Sequence, residues 1–429
     1  MMSETVRDPL TLGKDAVGQE VDLYFQPAPS SSQSFAASWI LLMGSRVDPP
    51  GKGGLTAILA RLFSAGTERR SKRAFAQELD RLAAVWSSEV LWDSLTLTVA
   101  GPADAWREIL SLLAEGLQQP RLEDREVERV RREHQEAILR HAAEPAERAE
   151  KEFLRTLFPI PHPFHADPVG SPESLSRIRA SDVQAHYRRH ITPRGSRLVV
   201  TSPENPATVL REIQEAWGAW TGPSPPPPLR GFPPPRRPRN GLEYHAITGT
   251  REVEIVIGGP SVPRSSPDYP ALVLAHEVLG GRPLLSRLFQ SVREREGLAY
   301  HAGSDLEARH FAGFWTAEAG TGLANLERVS DILVQEARRL AQSEIGDEEL
   351  RRIRESLLSS LPLSLESTSS AHDLAREVAE FDLPPEHWRR WPQVLRAIRP
   401  RDIRRAVERE WFLLEDPLQV AAGPPRPKT

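Results

Sequence analysis

Residues 44–62 read Gly-Ser-Arg-Val-Asp-Pro-Pro-Gly-Lys-Gly-Gly-Leu-Thr-Ala-Ile-Leu-Ala-Arg-Leu. The second part of this stretch has the spacing of an amphipathic helix that starts near Gly54. Its apolar residues recur at intervals of three and four, and they are Leu55, Ile58, Leu59, Leu62 and Phe63. This periodicity predicts a helix over residues 54–66 with one face in a hydrophobic core.

The whole segment resembles the active-site segment of the pitrilysin-type (inverzincin) zinc peptidases, relatives of mitochondrial processing peptidase. In that family a strand ends in Gly-Ser-Arg, and the following helix opens with Gly-Leu and carries the motif His-x-x-Glu-His. Here Ala57 and Arg61 stand in place of the two histidines, and Ala60 stands in place of the glutamate. The segment therefore matches the family except at the groups that carry its chemistry.

The three altered positions decide what this helix can do. Two imidazoles at i and i+4 can share a zinc ion, and the carboxylate between them activates the bound water. Alanine can neither bind a metal nor accept a proton, and Arg61 adds a permanent positive charge where the cation would sit. We therefore expect that the chain binds no zinc at Ala57, Ala60 and Arg61 and hydrolyses no peptide by itself.

The composition is that of a globular protein. The chain has 429 residues, of which 39% are hydrophobic and 27% charged, and this length favours two or three domains. The net charge of -4 gives no reason to expect nucleic acid as a ligand, and the absence of cysteine excludes disulfides and thiol chemistry. No membrane span or secretory signal is recognisable, so we expect a cytoplasmic protein.

A proline-rich segment lies near the middle of the chain. Residues 222–238 read Gly-Pro-Ser-Pro-Pro-Pro-Pro-Leu-Arg-Gly-Phe-Pro-Pro-Pro-Arg-Arg-Pro. Proline lacks a backbone donor and has a fixed φ, so this segment can form neither a helix nor a central strand. A stiff linker over residues 222–240, between domains at 1–221 and 241–429, is favoured over a proline-rich ligand for a partner protein.

The order of predicted elements is the same on the two sides of this linker, displaced by roughly 210 to 220 residues. In the first half we predict strands near residues 36–43 and 94–100 and one long helix over residues 123–156. The repeat predicts a duplicated α+β unit. The resemblance implies two homologous domains, each a mainly antiparallel sheet covered by helices, that face each other across a cleft as a clamshell.

The second half keeps another segment that resembles the family. Residues 286–289 read Ser-Arg-Leu-Phe, and residues 292–300 read Val-Arg-Glu-Arg-Glu-Gly-Leu-Ala-Tyr. In family members the arginine and tyrosine of this signature hydrogen-bond the substrate and stabilise charge on the scissile carbonyl. The resemblance implies these roles for Arg293 and Tyr300, and a guanidinium and a phenol can both donate to an oxyanion. The alternative is that Arg293 is a solvated helix residue and Tyr300 a half-buried strand aromatic.

Gly280 and Gly281 come just before this second signature. Near a helix end, glycine most often forms a left-handed cap, and we favour that interpretation. In the family a glycine-rich loop at this place shapes the cleft and guides substrate, which is the alternative.

Further metal-binding candidates lie in the first half. The predicted long helix carries His134, Glu136 and His141, and Glu136 lies close to where the family's third, carboxylate ligand would be. His134 and His141 are seven residues apart and too far from each other to share an ion, so we interpret them as part of a solvated helix face. His162 and His165 flank prolines in a loop and are weak candidates as well.

The loss of the first signature and the retention of the second predict a non-catalytic subunit of a heteromeric zinc metallopeptidase. Such a subunit would supply Arg293 and Tyr300 to a homologous zinc-bearing partner and would need no cofactor of its own, since zinc is expected only in the partner. Peptides are the expected substrates, no nucleic acid or membrane is expected, and self-association is left open. The alternative is a stand-alone peptide-binding protein or an architectural scaffold of the same fold.

Overall fold

The computed structural model describes residues 13–17, 21–29, 31–141, 144–217, 219–227, 231–236, 241–411 and 416–426. The strands in these ranges are β1 Gly13–Val17, β2 Val21–Pro27, β3 Ser34–Leu41, β4 Val85–Val90, β5 Leu95–Pro102, β6 Ser196–Ser202, β7 Leu242–Ala246, β8 Glu252–Ser261, β9 Ala299–Ala308, β10 Gly313–Gly322 and β11 Leu418–Gly423.

The α-helices in the same ranges are α1 Leu55–Leu62, α2 Lys72–Arg81, α3 Trp106–Gln118, α4 Asp124–His141, α5 Pro145–Leu157, α6 Pro172–Leu175, α7 Ala180–His190, α8 Pro206–Trp217, α9 Tyr269–His276, α10 Leu326–Gln342, α11 Asp347–Leu363, α12 Thr368–Glu380, α13 His387–Ala397 and α14 Pro400–Glu410. Short 3-10 turns occupy Gly44–Val47, Ala103–Ala105, Pro163–His165 and Leu323–Asn325, and π-helical turns occupy Glu277–Gly281 and Phe289–Arg295.

The chain divides into two compact units. The first unit comprises Met1–Ile138, Asp167–Pro228 and Ser360–Trp391, and the second comprises Leu139–Ala166, Leu229–Ser359 and Pro392–Thr429. One division point, between Pro228 and Leu229, lies in the proline-rich segment, of which residues 228–230 and 237–240 are outside the described ranges. Each unit also contains a piece of chain from the other side of that segment. The predicted domains, 1–221 and 241–429, are each one continuous stretch of chain and so lack these exchanged pieces.

The first unit is built on a six-stranded sheet with the strand order β1-β2-β6-β3-β5-β4. Strands β2 and β6 are parallel, and every other neighbouring pair is antiparallel. Seven consecutive residues of β3 are buried, which means that both faces of this strand are covered. Alternate residues of β3, such as Phe35 and Trp39, join the core formed with α1, α3 and α8.

The other face of this sheet is covered by α12, which comes from the chain after the proline-rich segment. Helix α12 packs on β2, β3 and β6, where Val378 and Ala379 lie against Tyr24, Ile40 and Val199. A buried polar bridge fixes this contact, because the ring of His372 hydrogen-bonds with Ser38 Oγ at 2.7 Å and with Thr201 Oγ1 at 2.8 Å. The position of α12 is therefore specified by packing and by hydrogen bonds.

The second unit repeats this topology with the order β7-β11-β8-β10-β9, in which only β7 and β11 pair in parallel. Helix α10 packs on β8 and β10, and α5, from before the proline-rich segment, packs on β8 and β11. A Cβ at Gly258 of β8 would lie 2.1 Å from the Trp315 carbonyl oxygen of the neighbouring strand β10 and 3.0 Å from the Phe153 ring of α5, so the strand and the helix both approach this glycine closely. The α+β class with two homologous, mainly antiparallel domains is thus confirmed.

One predicted element is wrong. The helix expected over residues 123–156 is two helices, α4 and α5, and Pro145 occupies the first turn of the second. Proline suits a first turn, where it needs no N–H partner, whereas in a helix interior it removes a hydrogen bond and clashes with the preceding turn, so Pro145 favours a new start at α5. Among the described residues no helix is both long and apolar enough to cross a bilayer.

Replacing the buried histidine of α12 tests this bridge. We expect His372→Ala to lower the free energy of unfolding by about 2–4 kcal/mol at neutral pH, because it leaves the buried Thr201 hydroxyl without its histidine partner and removes one of the two hydrogen bonds of Ser38, whose Oγ also lies 2.6 Å from Thr98 Oγ1. Burial lowers the pKa of His372 to about 3, from 6.5 for a free histidine. Its contribution to stability is therefore fully present above pH 6.5 and is lost as the pH falls towards 3, because the unfolded chain takes up the proton.

Urea unfolding followed by tryptophan fluorescence at about pH 7 and about pH 5 measures the effect. The difference between the wild type and His372→Ala should shrink by up to about 1.4 kcal/mol per pH unit below 6.5. His141→Ala is the matched control, since that ring is exposed and should contribute little at either pH. A pH-independent difference would contradict a buried neutral ring at position 372.

Candidate functional site

Helix α1 begins in a tight turn held by Asp48. Its carboxylate accepts the N–H of Gly54 at 2.8 Å, and the N–H and O–H of Thr56 at 2.9 and 2.6 Å. These bonds satisfy backbone groups that the first helical turn leaves free. Burial raises the pKa of Asp48 to about 7, although the same hydrogen bonds oppose the shift. Gly44 has a φ of 55°, and a Cβ there would lie 2.4 Å from the Leu91 carbonyl oxygen, so the turn requires glycine.

Helix α1 presents the three altered positions to a pocket of about 350 Å³ within the first unit. Ala57 and Ala60 are buried, whereas Arg61 is exposed. The other walls come from α2, β4, α4 and the segment before α6, and they include Lys72, Trp86, Arg129, Glu133, His134 and Val169. Two methyl groups and a guanidinium thus occupy the places where the family has its metal ligands and general base.

Some charged groups of this pocket form ion pairs and others do not. Arg129 donates to Glu133 at 2.6 Å and forms an ion pair with Glu126 at 2.9 Å, so its charge is compensated. This hydrogen bond and the positive charges of Arg129, Lys72 and Arg61 lower the pKa of Glu133 despite an opposing effect of burial. Within the described part of the chain, the side chains of Arg61 and Lys72 form no ion pair. The pocket therefore has excess positive charge.

These residues do not fit a zinc ion. A zinc site needs three or four nitrogen, sulfur or carboxylate ligands around one point, and excess cationic charge opposes its formation. In the described ranges no group of three His, Asp or Glu side chains is placed to hold a metal.

His134 lies in the wall of this pocket and is only 3% exposed. Its Nε2 is 2.9 Å from the Val169 carbonyl oxygen, which can only accept, so Nε2 carries the proton. Its Nδ1 is buried and has no hydrogen-bond partner in the structure. Burial lowers the pKa of His134, which keeps the ring neutral. The interpretation of His134 as part of a solvated face was therefore wrong.

The spacing of α4 explains this outcome. His134 continues the buried stripe of Val127, Val130 and Ile138, which recur at intervals of three and four, and this pattern was visible in the sequence. Glu136 and His141 are exposed, as expected of a solvated face. The carboxylate in the pocket belongs to Glu133, and not to Glu136 as the resemblance had suggested.

The weak metal candidates His162 and His165 lie in the second unit and are held by aromatic packing and by a hydrogen bond. His162 is 5% exposed and stacks on Phe158 at 4.3 Å between ring centres. Its ring also contacts Phe164 and Phe232. Burial lowers the pKa of His162 to about 4. His165 Nδ1 lies 2.8 Å from the Phe158 carbonyl oxygen.

The second signature brings Arg293 and Tyr300 together. Arg293 lies in the last turn of the π-helical segment Phe289–Arg295, and Tyr300 is the second residue of β9. The guanidinium carbon of Arg293 is 5.3 Å from the centre of the Tyr300 ring and 5.1 Å from that of Phe289. Arg293 is exposed, and Tyr300 is 82% exposed instead of half-buried. Both polar groups are therefore accessible to a ligand.

The other residues of this signature form its scaffold. Gly297 has a φ of 62°, and its N–H donates to the Arg293 carbonyl, which ends the helical segment directly before β9. Arg287 donates two hydrogen bonds to Glu349 of α11, at 2.8 and 2.9 Å. These contacts connect the signature to the helix layer of the second unit.

The interpretation of Gly280 and Gly281 as a left-handed cap is wrong. Neither residue has a positive φ, and both lie within the π-helical turn Glu277–Gly281. A Cβ at position 280 would lie 2.3 Å from the backbone nitrogen of Ser304, and one at position 281 would lie 2.7 Å from the His276 ring. Both glycines are thus required by close packing, against β9 and against α9.

Two family models match the chain. The model described as insulinase (peptidase family M16) matches residues 26–161, which contain α1 and α4. The model described as peptidase M16 inactive domain matches residues 177–357, which contain Arg293 and Tyr300.

Relatives and solved structures resemble the chain over most of its length. The uncharacterized zinc protease YmxG of Bacillus subtilis is 23% identical over 76% of this chain and 78% of the relative. An uncharacterized zinc protease of Streptomyces coelicolor is 26% identical over 76% and 72%, respectively. A peptidase M16 inactive domain of Pseudomonas fluorescens has a TM-score of 0.87 at 17% identity, over 97% of this chain and 99% of that one. A protease of Helicobacter pylori has a TM-score of 0.84 at 18% identity, over 96% and 99%.

Restoring the metal ligands tests the interpretation of the pocket. We expect the native protein to contain no zinc at this helix. A triple variant with Ala57→His, Ala60→Glu and Arg61→His should bind one zinc ion per chain, because two imidazoles one turn apart would then share the pocket with Glu133. The zinc content of extensively dialysed protein, measured by inductively coupled plasma mass spectrometry, gives the result.

The matched control adds Glu133→Ala to the triple variant. This change removes the third ligand and should strongly reduce the zinc content at the same free zinc concentration. Stoichiometric zinc on α1 of the native protein would refute the interpretation. A zinc content that does not depend on position 133 would exclude Glu133 as the third ligand.

Proposed function

Because the chain belongs to peptidase family M16, we propose that it is the non-catalytic subunit of a heteromeric zinc metallopeptidase. In this proposal Arg293 and Tyr300 contribute substrate binding and transition-state stabilisation to the site of a homologous, zinc-bearing partner. The observation that carries it is the accessible Arg293–Tyr300 pair in a chain whose own zinc positions hold Ala57, Ala60 and Arg61.

The first part of the argument is the missing chemistry. Several relatives are named zinc proteases, but peptide hydrolysis by a zinc enzyme requires the metal ligands and a base that activates water. Ala57 and Ala60 cannot provide these groups, and Arg61 opposes the metal. A role in proteolysis therefore requires zinc from a second polypeptide, and a homologous chain with an intact motif is the partner that this proposal names.

The second part is the state of Arg293. In the described ranges no carboxylate forms an ion pair with its guanidinium, and the side chain is exposed. Its five N–H donors are thus available to a carbonyl oxygen of a bound peptide. Tyr300 adds a phenolic O–H on the same surface, which suits the negative charge that develops on a scissile carbonyl.

The third part of the argument is that the Arg293 side chain is restrained before any substrate binds. The Arg293 guanidinium lies near the rings of both Phe289 and Tyr300, and Phe289 is itself only 8% exposed. Cation–π contacts with two rings restrict the rotamers of a long side chain, so less conformational entropy is lost when substrate binds. Such preorganisation is what transition-state stabilisation requires.

Reconstitution with the partner tests the proposal. The zinc-bearing homologue that copurifies with this chain is mixed with Arg293→Ala or Tyr300→Phe protein, and peptide turnover and complex formation are measured separately. Turnover should fall by roughly 10²-fold or more, as it does when an oxyanion-hole donor is removed. Complex formation should be unchanged, because in this proposal the two side chains contact substrate and not the partner.

Arg328→Ala is the matched control, because Arg328 is an exposed arginine of the same unit whose guanidinium pairs with Glu296. It should alter neither turnover nor complex formation. Unaltered turnover by the Arg293 and Tyr300 variants in a complete complex would show that the pair is structural and would favour an architectural scaffold. Failure to recover any zinc-bearing homologue would favour a stand-alone peptide-binding protein.

A further inference from the structure

The pocket beside α1 has the properties of an anion site. Arg61 and Lys72 lie in its lining, both are exposed, and neither forms an ion pair within the described ranges. Exposed cations that lie near each other on a protein usually have carboxylate neighbours. Here the carboxylate of the lining, Glu133, already pairs with Arg129. Even with Glu126, which also pairs with Arg129, three cations are set against two carboxylates, so an excess of positive charge remains at the cavity and favours an incoming negative charge.

The rest of the lining is suited to an organic group. Ala57, Ala60 and Val130 are buried, and the Trp86 side chain contributes an aromatic surface. The volume of about 350 Å³ is in the range of small-molecule sites. A ligand with a charged end and a small apolar body would therefore use both parts of the cavity.

We propose that this pocket binds a carboxylate group, of the kind that a peptide carries at its C-terminus or on an acidic side chain. The guanidinium of Arg61 can hold a carboxylate through two parallel hydrogen bonds, and the Lys72 ammonium adds a second positive charge. Zinc chemistry at α1 is thus replaced by anion recognition. The inference concerns the first unit of this chain alone and does not depend on the proposed partner.

The charge balance favours a carboxylate over a phosphate. The lining contains the cations Arg61, Lys72 and Arg129 but also the anion Glu133, which repels a doubly charged ligand more than a singly charged one. The apolar walls add affinity for a carbon skeleton, which inorganic phosphate lacks.

Calorimetric titration with four small probes tests the inference. N-acetyl-leucine carries its carboxylate as a peptide C-terminus does, and N-acetyl-leucinamide lacks the charge. The α-amide of N-acetyl-glutamic acid carries a carboxylate only on its side chain, and inorganic phosphate is the inorganic anion. We expect at least one of the two carboxylates to bind with one site per chain, and N-acetyl-leucinamide to bind about tenfold or more weakly. Binding of either carboxylate supports the inference. The probe that binds more tightly shows whether the pocket prefers a peptide C-terminus or an acidic side chain.

Single substitutions place the binding in this pocket. Arg61→Met and Lys72→Met keep much of the side-chain length but remove the charge, and each should weaken carboxylate binding about tenfold or more. Arg73→Met is the matched control, because Arg73 is exposed on α2 next to Lys72 but does not line the pocket. All three positions are exposed, so the fold should be retained.

Several results would overturn the inference. They are the absence of carboxylate binding at millimolar concentration, equal binding of N-acetyl-leucinamide and N-acetyl-leucine, and phosphate binding tighter than that of both carboxylates. Carboxylate affinities that are the same in Arg61→Met, Lys72→Met and Arg73→Met would exclude this pocket as the site.

Discussion

Both faces of each sheet are buried, and this burial determines how the two halves of the chain are arranged within each unit. Seven consecutive residues of β3 and eight of β8 are buried, so helices must cover two sides of both sheets. In each unit the helix on the second side comes from beyond the proline-rich segment, α12 in the first unit and α5 in the second. Neither sheet can thus be fully covered by its own half of the chain, and apolar burial makes the two halves interdependent.

The same packing requirement explains why α1 remains where its chemistry is gone. Leu55, Ile58, Leu59 and Leu62 are buried in the core of the first unit, and Asp48 holds the start of the helix. Ala57, Ala60 and Arg61 line the pocket, and Ala60 also belongs to this core. A fold can therefore lose a metal site and keep the helix that carried it, because most core contacts of the helix come from residues that do not line the pocket.

The two candidate surfaces differ in how their charges are arranged. Around α1 the cations line a cavity with apolar walls, which suits the recognition of a charged end of a ligand. At Arg293 and Tyr300 the donors lie on an open surface and are ordered by aromatic rings, which suits contact with an extended backbone. Both proposals name peptides as ligands, and each surface is built within one unit.

The sequence alone determined the features that depend on neighbours along the chain. The period of α1, the proline-rich segment and the short spacing from Arg293 to Tyr300 are local, and local geometry follows from backbone preferences. Only the tertiary structure placed His372 against Ser38, 334 residues away, and made His134 a pocket wall with Val169 as its partner. Gly280 likewise has its reason in β9, since a Cβ there would meet the Ser304 backbone. Such contacts join residues far apart in sequence, and the residue types at one position do not specify which distant segment will fold against it.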